Sequence, residues 1–217
     1  MTHRTTVVAL AGLLLAGSSA SLAAQDMASM EPGHRHMSFT PPRAGTPADS
    51  AKALAVVHTL RAAIAQYPTL AAAESAGYRS RLPDAMQQRR RMLHVARPKS
   101  RPGTAGFDPA APQALLYRRD ESGRFQLAGA MFVAPEGATE EDLDARIPLS
   151  VARWHQHLDV CRGPEGEMKR RYRQATTASA CEAAGGRFRS ESRYMVHVMV
   201  DSGDDLAAAF PQHPDRD

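Results

Sequence analysis

The chain has 217 residues, 43% of them hydrophobic and 23% charged, with a formal net charge of +4 and a pI near 9.4. The positive charge is spread over arginine-rich stretches around Arg89-Arg90-Arg91 and Lys169-Arg170-Arg171, not gathered in one tail, and no nucleic-acid-binding motif accompanies it. A nucleic-acid partner is therefore not expected, and no apolar run reaches the roughly 20 residues that a transmembrane helix needs.

The N-terminus reads as a secretory signal peptide over 1–23. Arg4 supplies the positive region, Val7 to Ala16 is an apolar run of about ten residues, and Ser21-Leu22-Ala23 has the small-x-small pattern of a cleavage site. No cysteine stands near that site to carry a lipid anchor. The expected mature protein is periplasmic or secreted. About 190 residues remain, enough for one domain with a real core.

Residues 24–46 are rich in Pro, Gly, Met and Ser without periodicity and read as a flexible arm. The arm contains Met27, Met30, His34, His36 and Met37, thioethers and imidazoles of the kind that suit copper, above all Cu(I). The same composition also fits a plain disordered tail.

A single domain is expected over 47–210, with a tail at 211–217. Thr46-Pro47 reads as an N-cap followed by proline at the first helical position. Ala53, Val56, Val57, Leu60, Ile64 and Tyr67 recur at three- and four-residue spacing, an amphipathic helix of about five turns with His58 at its boundary. Pro68 ends it, and Leu70 to Ala76 forms a second helix stopped at Gly77. Arg79 to Gly106 is the least regular stretch and carries His94, a candidate loop ligand. Ala114–Tyr117 and Arg124–Val133 read as the strands of a hairpin, with Gly129 marking a bulge or a close backbone approach. Thr139 with Asp142 opens a short helix that ends before Pro148, and Thr177 to Ala184 forms another, stopped by Gly185-Gly186.

Two runs carry the chemistry. Val151–Cys161 places His155 and His157 two residues apart in a strand-like segment, so both imidazoles share a face. Arg193–Val200 alternates Tyr194, Val196, Val198 and Val200 with Met195, His197 and Met199. If the even residues face the core, His155, His157 and His197 share the opposite face of one sheet, and converging imidazoles are a metal-site signature. The pairing reading also allows half-buried histidines with ordinary hydrogen bonds.

Met195 and Met199 are accessory candidates, and they tilt the metal toward copper over zinc. Asp159 has the same parity and is a candidate accessory carboxylate. Cys161 and Cys181, an even count in an exported chain, favour a disulfide; the rival is Cys161 as a thiolate ligand beside the histidines. The expected fold is α+β, an antiparallel sheet of about four strands packed on the N-terminal helices.

Gly77-Tyr78, His94, Phe107-Asp-Pro-Ala-Ala-Pro-Gln-Ala-Leu-Leu-Tyr117 and Arg124-Phe-Gln-Leu-Ala-Gly-Ala-Met-Phe-Val-Ala-Pro135 together resemble a group of exported bacterial proteins of unknown function. Their pattern runs Gly-Tyr, a glycine-rich loop to a histidine, Pro-x-Ala-Leu-Leu-Tyr and a Leu-x-Gly hairpin. In this chain Arg91-Met92-Leu93 replaces the glycine-rich approach. The resemblance implies an exported domain and a role for His94, and it brings no activity with it.

The expectation is an exported metal-binding protein with His155, His157 and His197 as ligands, His94 as a fourth, and a copper or zinc ion for metal handling or a metal-dependent reaction. The alternative is a non-catalytic exported binding or structural module, its polar groove lined by these histidines with Arg153 and Arg193, for a small anion, another small molecule or a partner. No His-Glu-x-x-His helix, Gly-x-Ser-x-Gly elbow or phosphate loop points to a particular reaction.

Overall fold

A computed structural model describes residues 37–82, 84–97, 106–164 and 169–211. The predicted signal peptide, most of the predicted arm with Met27, Met30, His34 and His36, and the tail with His213 lie outside the described residues.

Helix α1 (Pro47–Ile64) is nucleated by a complete capping box: Asp49 N–H donates to Thr46 Oγ1, and Thr46 N–H donates to the Asp49 carboxylate. Such a cap stabilises a helix by about 1 kcal/mol. The predicted stripe is the buried one, with Ala53, Val56, Val57, Leu60 and Ile64 all in the core. Each fully buried aliphatic side chain contributes roughly 1.5–3 kcal/mol. Thr69 caps α2 (Leu70–Ser75), and the chain turns out of it at Gly77, whose φ of +90° is open to glycine and strained for other residues.

The sheet is antiparallel throughout. Its strands are β1 (Met37–Phe39), β2 (Arg79–Ser80), β3 (Met92–Ala96), β4 (Ala114–Arg119), β5 (Phe125–Val133), β6 (His155–Arg162), β7 (Arg187–Glu191) and β8 (Met195–Met199). They pair in the order β1-β6-β8-β5-β4-β3-β2, with β7 also on β6. The class is α+β, as the pattern predicts, but among the described residues the sheet has eight strands where about four are expected.

The four additional strands have physical reasons for escaping a periodicity search. β2 is two residues long, and β7 is Arg-Phe-Arg-Ser-Glu, held by pairing with β6 and not by burial. β1 lies within the segment read as an arm and pairs with β6 at its edge. β3 sits between arginine-rich segments, so His94 belongs to a strand and not to a loop. Nor do the N-terminal helices cover the sheet alone. Beyond the short α3 (Asp84–Gln87), Leu143 of α4 (Glu140–Arg146) and Ala209 of α7 (Leu206–Ala209) join the same core.

That core lies on one face of the sheet. Leu93 and Val95, Leu115 and Tyr117, Ala130 and Phe132, and Val196 and Val198 point into it, with Ala152 and Trp154 from the turn before β6. The Tyr117 hydroxyl donates to the carbonyls of Tyr67 (2.7 Å) and Thr69 (3.1 Å), fixing the α1–α2 corner onto β4. Burial pushes its phenol far above the usual range, so it stays a donor.

The disulfide Cys161–Cys181 is formed, with Cα atoms 5.6 Å apart. It joins β6 to α6 (Ala178–Ala183) around a small cluster with Tyr172, which lies in α5 (Arg170–Arg173), and Ala175. This removes Cys161 as a thiolate ligand. A Cβ at Gly186 would stand 2.6 Å from Cys161 Sγ and 2.9 Å from Cys181 Sγ, so only glycine admits the bridge there. Disulfides form and persist in oxidising compartments. No described helix is long and apolar enough to cross a membrane.

Candidate metal centre

The opposite face of the sheet carries the histidines. Because directly opposed residues of an antiparallel pair share a face, the register fixes their neighbours. His155 opposes Met195, Met195 opposes Val133, His197 opposes Met131, His157 opposes Met37, and Phe39 opposes His155. His94 opposes Leu116, which opposes Gly129, which opposes Met199.

β3 and β8 are separated by β4 and β5, so in a flat sheet they would lie about 14 Å apart at the usual strand spacing. Yet His94 Nε2 and His197 Nε2 are 3.1 Å apart. The coiling natural to a twisted sheet, with each imidazole reaching several ångströms from its Cα, brings them together. A β-bulge at Leu116/Tyr117, which leaves Ala128 as the extra residue of β5, adds to that coiling. Gly129 lets β5 and β8 approach closely: a Cβ there would collide with the Val198 carbonyl oxygen and come within 2.9 Å of Met199 Cα.

All four predicted histidines meet on this face. The His155 and His197 rings are 5.2 Å apart centroid to centroid, His94 and His197 5.3 Å, and His155 and His157 5.7 Å. His155 and His197 are buried, with 3% and 6% exposure, while His94 and His157 are half-buried. Phe39 packs on His155 at 5.5 Å.

Burial holds His197 well below the ordinary imidazole pKa, and the positive charge that His94, His155 or His157 would carry pushes it the same way. His197 is therefore neutral. Of the two nitrogens at 3.1 Å, one donates and one accepts. The other ring nitrogen, His197 Nδ1, is buried and has no hydrogen-bond partner among the described residues, an arrangement that costs about 1–3 kcal/mol.

Among the described residues, no three His, Cys, Asp or Glu side chains already stand in metal-ligand geometry. Two tetrahedral ligands at 2.0–2.1 Å from a metal lie about 3.3 Å apart, so the His94–His197 pair is within a few tenths of an ångström of that spacing, and His155 and His157 would have to turn toward it.

The accessory candidates divide. Met195 is half-buried beside His155. Met199 is buried in a small cluster with Met92, Leu116 and Ala128. Asp159 is exposed, with a left-handed backbone (φ +52°), and is not among the charges that act on His197. The arginines of the alternative groove have partners of their own: Arg153 donates to the Thr40 carbonyl at 2.9 Å and stacks over Phe39, the ring packed on His155, and Arg193 lies 3.7 Å from Glu136. His58 pairs with Asp204 at 2.8 Å on the exposed side of α1.

Sequence reasoning missed Met131 and did not connect Met37 to the histidines. The parity of Met131 in the Ala-Gly-Ala-Met-Phe-Val run is legible, but its placement opposite His197 depends on β5 being the neighbour of β8.

Fold and site together define an α+β protein with a coiled antiparallel sheet, one face closed by helices and the other lined by histidine and methionine. No protein-family model, no curated protein and no solved structure matches the chain.

Proposed function

We propose that this is an exported metal-binding protein whose histidine face holds a transition-metal ion, copper in preference to zinc, for metal handling or for a metal-dependent reaction. The observation that carries the reading is the 3.1 Å approach of His94 Nε2 to His197 Nε2 across two intervening strands, with His155 packed on His197. Burial, and then His94, His155 and His157, lower the proton affinity of His197, and neutral imidazole is the form that ligates metal. The disulfide is consistent with an oxidising compartment, and so with the signal peptide expected over 1–23.

The test is elemental analysis of untagged mature protein purified without chelator, before and after incubation with copper or zinc. The expected result is about one ion per chain, lost in His94→Ala and His197→Ala and kept in His58→Ala, with circular dichroism confirming that each variant is folded. No metal on the wild-type protein, and no uptake of either ion, would overturn the reading.

A further inference from the structure

We infer that the histidine face is a Cu(I) site in which the thioether sulfurs of Met131 and Met195 complete an imidazole ligand set. This rests on the metal-binding reading above and names the ion it concerns.

Met195 directly opposes His155 across the β6–β8 pair and stands two residues from His197 on the same face of β8. Met131 directly opposes His197 across the β5–β8 pair. Directly opposed side chains start about 4.5–5.5 Å apart at Cβ, within reach of a flexible methionine side chain. Both methionines are half-buried, whereas Met92 and Met199 are buried in a small cluster on whose edge Met131 packs. Met37 repeats the arrangement opposite His157.

The second line of evidence is electrostatic. The groups that act on His197 are three other histidines, all uncharged as ligands. A divalent ion held by neutral ligands alone would leave two uncompensated charges in a half-buried site, whereas Cu(I) leaves one. The solvation cost of burying an ion grows with the square of its charge, so a neutral set buries a monovalent ion at lower cost than a divalent one. Thioether sulfur adds to that preference, because it is a soft ligand that favours Cu(I) over Zn(II) and over Cu(II). The buried His197 Nδ1 has no hydrogen-bond partner among the described residues, so hydrogen bonding there leaves that ring unsatisfied.

The experiment uses the mature full-length protein under anaerobic, reducing conditions. Cu(I) affinity is measured by competition with a chromogenic Cu(I) chelator, and Zn(II) affinity by competition with a zinc indicator. Wild type is compared with Met131→Leu, Met195→Leu and the double variant; Met-to-Leu exchange nearly conserves volume and leaves the fold intact.

The inference predicts that the double variant loses at least about tenfold in Cu(I) affinity while Zn(II) affinity is unchanged, and that X-ray absorption of the wild-type copper complex shows a sulfur shell that the double variant lacks. Cu(I) affinity unchanged by both substitutions, or a copper shell of nitrogen alone, would overturn the thioether site and leave a histidine site standing. Failure of the wild-type protein to bind copper or zinc at all would overturn the metal reading itself.

Discussion

His94 and His197 sit on strands separated by two others, yet their Nε2 atoms are 3.1 Å apart. The contact makes the curvature of the sheet a determinant of the site. Whatever flattens the sheet separates the two rings.

Gly129→Ala tests that dependence. The new Cβ would meet the Val198 carbonyl oxygen and Met199 Cα, so β5 and β8 must part. The variant should lose about 3 kcal/mol in urea denaturation, the upper end for overpacking. It should also lose metal uptake, although no histidine is changed. Full stability with wild-type uptake would show that the β5–β8 approach is not what positions His197.

The metal-free protein should become less stable as the pH falls below 6.5. His197 has its proton affinity lowered by burial in the folded state, against an ordinary value of 6.5 in the unfolded chain. Below that value the unfolded state binds the proton that the folded state refuses, so stability is present above pH 6.5 and drains below it, by up to about 1.4 kcal/mol per pH unit for one such group. Chemical denaturation between pH 5 and 7.5 measures the slope, and His197→Leu should flatten it. An unchanged slope in that variant would place the sensitivity elsewhere.

Removing the disulfide with Cys161→Ser and Cys181→Ser opens a loop with a sequence separation of 20. The chain-entropy model puts the loss at about 3 kcal/mol. Because the bridge lies in a separate cluster with Tyr172 and Ala175, metal stoichiometry should be unaffected under conditions where the variant is folded. Gly186→Ala, which crowds both sulfurs, should destabilise by roughly 1–3 kcal/mol through the same cluster.

Tyr117→Phe leaves the carbonyls of Tyr67 and Thr69 without their shared donor in a buried corner. A loss of about 1–3 kcal/mol is expected, with no change in metal affinity, since this hydroxyl lies on the helix-covered face. Thermal unfolding and metal titration on one sample separate the two effects.

Local rules made much of this protein legible. The three- and four-residue spacing of Ala53, Val56, Val57, Leu60 and Ile64, with the Thr46 cap, is α1 as it stands. The period of two in β8 puts Val196 and Val198 into the core and His197 on the other face, because successive strand residues must point to opposite sides. Cys161 and Cys181 form the one pairing two cysteines allow. The helix and the strand alternation are set by neighbours within a few residues, and the disulfide by the count of cysteines alone.

Strand order, and with it the company each histidine keeps, is not local. β3 is too closely flanked by charge to be read as a strand, and nothing within Met92–Ala96 says that His94 will reach across β4 and β5. Met131 becomes a neighbour of His197 only because β5 pairs with β8 in one particular register. β7, with its mostly exposed Arg-Phe-Arg-Ser-Glu sequence, is a strand only because β6 offers it a partner. The sequence by itself determined which face each side chain takes, since alternation is a property of the backbone. Which faces meet was decided by tertiary structure, through the pairing and coiling that bury the most surface at once.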